Sequence, residues 1–492
     1  MSKRVILLYP RHITGWQAQP RVEMPMGLLC IATPISRAGY QVKIIDQRLE
    51  PNWHSILRQE LSQDPICIGI SSMTGSQLKY ALEISKIAKE YGNAPVIWGG
   101  VHPTILPEQT LDNEYIDIVV QGEGEETFLE LVQALEGRRP LNTVKGIWYK
   151  ENGQSTYTGA RPFLDLNQQP SLCYHLVDLE KYLRFISGVG HLNFFTSRGC
   201  PYPCTFCFNT PYNRRVWRAM SPGLAIQRIT DFVRRYKVKG ITFIDNNFFT
   251  DMDRGRRILK GLIEEDLDIV ISKISIRVDA LVDMSDDDLA LVERAGCRRL
   301  TLAVESGSER IRAMLKKPTD VPALLDLNRR LRKSPMVPHY LFMMGLPMET
   351  REDLSESVSL ALRLSKENRK AQFFFNIYIP YPGTELFNIA VKDGLRVPQR
   401  IEDWIGVSYR NVTLNAPWLS KEMRNTIEMV DFCSFFVGKG HFRKPYERTN
   451  PLVVLLSNIY APLAKKRVAR LFYKFPVEVA LAKSLRVYGK QF

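Results

Sequence analysis

The chain of 492 residues has only eight cysteines, too few for a disulfide framework in so long a protein. It also has no apolar run approaching the roughly 18–20 uncharged residues that span a bilayer. The opening MSKRVILLYP is too short in apolar residues for a signal peptide. These absences predict a cytoplasmic protein. No Gly-x-Gly-x-x-Gly follows the first apolar segment, which argues against a dinucleotide-binding domain. With 45% hydrophobic and 24% charged residues the composition is that of a globular protein of about three domains, neither disordered nor fibrous.

Charge is unevenly spread. The net charge is +15, yet residues 439–492 hold 12 Lys/Arg against Glu447 and Glu478, a net +10. A basic tail suits an anionic partner or simply keeps the protein soluble. Apolar 451–464 runs into Lys465, Lys466, Arg467 and Arg470, a pattern that suits an interfacial helix on anionic membrane. It suits equally a helix docked on the body to close a substrate cavity. No nucleic-acid reading module accompanies the charge.

Over residues 1–145 short apolar runs alternate with amphipathic stretches, the pattern of a doubly wound α/β domain. Strands are predicted at 5–9, 42–46, 66–71, 96–99 and 116–121, with helices at 27–38, 54–62, 77–91, 107–111 and 125–135. Such domains bind ligands beyond the carboxyl ends of their strands, here 9–15, 71–75, 99–104 and 122–124. Residues 146–190 read as a linker opening with a hairpin turn at Asn152-Gly153.

From 191 to 395, six strand–helix units predict a parallel barrel or part of one, with strands near 192–197, 240–244, 269–276, 299–304, 337–344 and 371–379. Residues 396–492 complete the chain as a helical, basic extension.

The chemistry concentrates in Cys200-Pro-Tyr-Pro-Cys204-Thr-Phe-Cys207, directly after the first barrel strand, where barrels place active sites. Three thiolates hold three irons of a cubane and leave the fourth open to a substrate. Zinc is the alternative, but structural zinc takes four ligands in paired spacings, and no second such pair is present. Cys30, Cys67, Cys173, Cys297 and Cys433 stand singly in apolar contexts and read as packing residues.

The spacing Cys-x3-Cys-x2-Cys, with aromatic Phe206 before the last cysteine, resembles the radical S-adenosylmethionine enzymes. The resemblance implies a [4Fe-4S] cluster whose open iron chelates S-adenosylmethionine and cleaves it to a 5′-deoxyadenosyl radical. It also implies an electron donor such as flavodoxin or ferredoxin. By match of position, Phe206 would lie near the adenine or serve as a loop anchor. Asp245, after the second strand, stands where the family contacts the methionine amino group, without the family's Gly-Gly-Glu form. Glu305 and Ser306, after the fourth strand, would meet ribose or the methionine moiety, or cap a helix. Arg277 would meet a carboxylate or form a surface ion pair.

A doubly wound domain ahead of this barrel is similar to the cobalamin-binding subgroup of that family, as are Gly99-Gly-Val-His-Pro-Thr104 and Gly122-Glu-Gly-Glu-Glu126. Cobalamin would lie against Ser71, Ser72, Thr74, Gly99, Gly100, His102 and Pro103. His12 keeps the offset to Gly15 of the superfamily's cobalt-ligating histidine, but Pro10 replaces the aspartate that would orient it. The resemblance implies methylation of an unactivated carbon of a small apolar molecule, a lipid or a tetrapyrrole. A cyclisation or oxidative rearrangement with the same cofactors is the alternative. An iron–sulfur carrier without turnover is a third, disfavoured by the open iron position.

Overall fold

The computed structural model describes residues 3–12, 22–137, 139–186, 188–407, 416–434, 436 and 451–484. Gly15 and the basic stretches 439–450 and 485–492 lie outside the described residues.

The first sheet contains β1 (Arg4–Tyr9), β2 (Gln41–Asp46), β3 (Cys67–Ser71), β4 (Val96–Gly99), β5 (Ile118–Val120), β6 (Ile147–Glu151) and β7 (Gln154–Tyr157), in the order β2-β1-β3-β4-β5-β6-β7. The first five are parallel, and the order reverses between β1 and β3, so the switch point opens between their carboxyl ends. Apolar clusters pack on both faces of this sheet, which is why its central strands β1, β3, β4 and β5 read as near-continuous apolar runs. The predicted turn is there: Asn152 and Gly153 both take positive φ, as a two-residue hairpin needs. That hairpin pairs antiparallel with β5, so a linker beginning at 146 cuts through the sheet and the first domain runs on through Tyr157.

The second sheet has β8 (Arg184–Ile186), β9 (Val189–Phe194), β12 (Gly240–Phe243), β13 (Val270–Ile276), β14 (Arg299–Glu305), β15 (Val337–Met344) and β16 (Gln372–Ile377). Between β9 and β12 a small ladder, β10 (Ser197–Arg198) with β11 (Arg218–Ala219), stands apart from both large sheets. Six parallel strands follow one another in chain order from β9 to β16, with β8 antiparallel on the edge, an open half-barrel. The outer face carries Tyr340 stacked on Phe373 and Phe342 on Phe375, buried beneath the helices.

After the barrel the chain returns to the first domain. Ile401 and Trp404, from the 3-10 turn Ile401–Gly406, join one of its two apolar clusters, and the Trp404 indole donates to Gln109 Oε1 at 2.6 Å. The extension is therefore not one unit: its first piece completes the first domain. The helix Lys421–Ser434 then lies against β16, and Pro451–Ala469 packs on that helix and on Arg351–Glu367. Docking on the body, one of the two readings of the tail, describes the buried face of the last long helix, with Ala464 and Val468. Among the described residues no helix is long and apolar enough to cross a membrane.

Candidate functional site

Gly199 opens the cysteine loop at φ +79°, and a Cβ there would come within 2.0 Å of the Val216 carbonyl oxygen, so only glycine fits. The loop is pinned from both sides. Thr205 N–H donates to the Leu315 carbonyl, Leu386 N–H to the Thr205 carbonyl, and the Asn209 amide to the Cys200 carbonyl. The sulfurs lie close enough to act on one another's ionisation: Cys204 on Cys200, and both on Cys207. Burial pushes the Cys207 thiol up to about 11, opposed by the Asn209 backbone N–H and by Lys317.

Among the described residues no three Cys, His, Asp or Glu side chains gather as a single ion would require. A cubane asks for one thiolate at each of three separate corners, and three free cysteines on one pinned loop fit that demand.

Two cations border these sulfurs. Arg277 donates toward Cys204 Sγ at 3.5 Å, pairs with Asp279 at 2.7 Å and lies 3.7 Å over the Tyr202 ring. It therefore sits on the cysteine loop and its carboxylate is one of its own neighbours. Lys317 forms a 2.6 Å ion pair with Glu305, both side chains buried, and its ammonium lies 5.9 Å from the Phe206 ring. Glu305 holds φ +68°, strained for a residue with a side chain. Lys317 was not singled out from sequence, because Lys316-Lys317-Pro318 reads as solvated charge.

The other barrel residues divide. Phe206 packs beside the buried cluster of Ile311, Leu315, Leu346, Tyr378 and Leu386, which anchors the loop. Asp245 is buried and accepts from Thr196 N–H and Oγ1 and from Ser197 Oγ, tying the end of β12 to the segment after β9. Ser306 turns away: its hydroxyl is fully buried against Ser357 and accepts from Ser308 N–H.

Glu349, four residues beyond Gly345, accepts from the Gly345 and Leu346 amides, while its other oxygen is buried without a partner. Burial raises its pKa to about 8. A raised carboxyl pKa means the folded state holds the proton that the unfolded state releases, so this group's contribution to stability falls as pH rises from about 4 toward 8. Glu349→Gln keeps the accepting oxygen and removes the titration. Thermal melts of the two proteins should nearly coincide at pH 5 and diverge by pH 9, with the variant the more stable; parallel curves would refute the assignment.

The residues expected to hold a cofactor in the first domain gather at the carboxyl ends of β3 and β4, beside the switch point. Gly100 takes φ +99°, and a Cβ there would meet the Ser72 carbonyl oxygen at 2.7 Å. His102 is fully buried, its Nδ1 2.9 Å from Thr74 Oγ1 and its ring edge-on to Trp404. Burial holds its pKa near 3, so the imidazole is neutral. Ser71 and Gly99 pair at the ends of β3 and β4, and Pro103 is buried behind them. Ser72 Oγ, His102 Nε2 and His12 Nδ1 are all buried without partners, and all stand at this one edge of the sheet. Orphaned polar atoms at a ligand-binding edge fit a large polar cofactor.

The two halves meet through charge. Glu123, from the loop after β5, and Glu125, the first residue of the helix Glu125–Leu135, are buried against Arg198, at 2.8 and 2.6 Å, and Glu123 also pairs with Arg218 at 2.5 Å. Arg198 stands two residues before Cys200. The run of acids in Gly122–Glu126 was legible, but its partners come from a strand pair that sequence reading did not resolve.

Residues 21–132 match the family model described as B12 binding domain, and 194–361 match the Radical SAM superfamily. An uncharacterized methyltransferase of Pyrococcus horikoshii is 32% identical over 376 residues, 75% of this chain and 79% of its own. The anaerobic magnesium-protoporphyrin IX monomethyl ester cyclase of Synechocystis is 30% identical over 65% of each chain. Among solved structures, the cobalamin-dependent S-adenosylmethionine radical enzyme OxsB with aqua-cobalamin bound shares the fold at TM-score 0.74 and 18% identity, covering 99% of this chain and 75% of OxsB.

Proposed function

Because the chain belongs to the cobalamin-binding radical S-adenosylmethionine enzymes, we propose that it methylates an unactivated carbon of a small apolar substrate. When bound, the [4Fe-4S] cluster with S-adenosylmethionine supplies one-electron chemistry, and cobalamin supplies the methyl group. The chain's own residues then hold, orient and exclude water. Cys200, Cys204 and Cys207 hold the cluster, with Arg277 and Lys317 as the cations beside it. Glu305, fixed by Lys317, and Phe206 flank S-adenosylmethionine; Asp245 acts through Thr196 and Ser197 as a positioning residue. Ser71, Ser72, Thr74, Gly99, Gly100, His102 and Pro103 form the cobalamin wall.

The observation that carries the reading is the inner face of the half-barrel beside the cysteine loop. Along β15 burial alternates strictly, and the face opposite the helices is half-exposed. Register places Ala303, Leu341 and Phe374 in one row across it, with Met343 beside Asn376 in the next. The row before Leu341 on the same face holds Thr301, His339 and Gln372, so an apolar row bounded by polar ones suits a mainly apolar substrate with polar groups at its ends.

Two steps test this. The protein is reconstituted anaerobically with iron, sulfide and hydroxocobalamin, desalted, and assayed for cobalt; near-stoichiometric retention is expected. It is then incubated with methyl-labelled S-adenosylmethionine, a flavodoxin or ferredoxin reductant, and an apolar cell extract. A labelled product heavier by one CH2 supports methylation. The similarity to the cyclase supports a second reading, cyclisation, which predicts loss of hydrogen with no label; cobalt at background sinks both.

The tail supports a peripheral membrane contact. Leu455, Ile459 and Leu463 are exposed at successive turns on the last long helix, and exposed Phe472 and Phe475 follow Lys465, Lys466 and Arg470. Co-sedimentation with phosphatidylglycerol vesicles is expected, and Leu455→Glu with Ile459→Glu should abolish it; unchanged binding by the double variant counts against the contact.

A further inference from the structure

A cavity of about 420 Å³ opens at the seam where helix Met26–Arg37, the connector around 166–174 and the first barrel helix, Pro222–Tyr236, meet. Its size is in the range of small-molecule sites, and none of the residues assigned above to the cysteine loop or the cobalamin wall lines it. The floor is apolar: Leu166, Tyr174, Phe194, Met220 and Phe232 are all buried.

The lining is cationic. Arg198, Arg228, Arg234 and Arg235 face it against two carboxylates, Glu125 and Asp231. Glu125 is engaged by Arg198, and Arg234 pairs with Glu265 at 3.0 Å. Arg228 differs from Arg198 and Arg234, and unlike Arg235 it is not exposed. Half-buried, it donates to the Gln169 carbonyl and lies 3.9 Å from the Met220 sulfur, with no carboxylate among these partners. Burial and the nearby Arg37 both disfavour its charged form. A guanidinium drawn from water without a counter-charge is costly, and an anion supplied from outside relieves that cost. Asp231, one turn along the same helix, disfavours a dianion.

We propose that this cavity binds an amphiphilic monoanion, an alkyl carboxylate with its head group on Arg228 and its chain on the apolar floor. The site is independent of the proposed reaction, and its occupant would bridge the two domains.

The test is calorimetry on the reconstituted full-length protein with laurate below its micellar concentration. One saturable laurate per chain is expected, and dodecyltrimethylammonium, with the same chain and the opposite charge, should not compete. Arg228→Glu should weaken binding at least tenfold at unchanged iron content. Ser171→Trp, which narrows the cavity and leaves Arg228 in place, should weaken it as well, and covers the case in which the charge reversal disturbs folding. The exposed Arg329→Ala is the control and should bind as the parent does. Absence of saturable binding, equal competition by the cationic amphiphile, or unchanged affinity in both Arg228→Glu and Ser171→Trp would overturn the proposal.

Discussion

Changing Cys204 to alanine is expected to leave the protein folded and without its cluster. A cubane held by three protein thiolates already has one iron with no protein ligand. Removing a second leaves two attachment points on a loop whose backbone stays pinned at Thr205, so the loop cannot move another ligand in. The same holds for Cys200 and Cys207. Iron and sulfide content after anaerobic reconstitution, with the visible charge-transfer band, read the result directly. Cys297→Ala is the control, since that thiol is buried on the helix-packed side of the barrel and should cost no iron. Normal iron content in Cys204→Ala would remove the basis for the assignment.

The second large effect is on stability. Arg198 is the cation shared by Glu123 and Glu125 at the domain seam, and its Nη2 also donates to Cys30 Sγ at 3.1 Å. In Arg198→Ala, Glu123 keeps Arg218 and the Leu164 amide, whereas Glu125 loses the cation that offsets its burial. Stranding a buried charge typically costs about 3–5 kcal/mol, while replacing both members of a pair is close to neutral. The expected result is a marked fall in the unfolding midpoint for Arg198→Ala and substantial recovery when Glu125→Gln is added. Additive losses in the double variant would show that the pair is not coupled. Because Arg198 precedes the cysteine loop, iron content after reconstitution should fall along with stability.

What the sequence revealed and what it hid follow from the range of the interactions. Strands buried on both faces, β1, β3, β4 and β5, announce themselves as apolar runs and edge strand β2 as an alternating one, so all five stand within two residues of their expected bounds. The cysteine loop is local and its spacing is its chemistry. Three-residue β8 on the sheet edge leaves no periodicity to read. Lys317 and Glu305 are 12 residues apart, and the short helix Glu309–Met314 between them folds the chain back to bring them together. Trp404 reaches His102 across some 300 residues of intervening chain, through a contact that no local pattern encodes. Ser306 and Glu305 are neighbours in sequence with opposite fates, because the backbone reverses at Glu305 and turns the serine into the helix packing.

The return of Ile401 and Trp404 to the first domain also sets a timetable. A ribosome releases the chain from the amino end, and domains ordinarily fold as they emerge. Here the first domain has its sheet complete by Tyr157, yet one of its apolar clusters remains open until Trp404 has been synthesised, after every strand of the barrel. The nascent domain waits with that surface uncovered while the barrel is made, and the residues that cover it emerge only after both sheets.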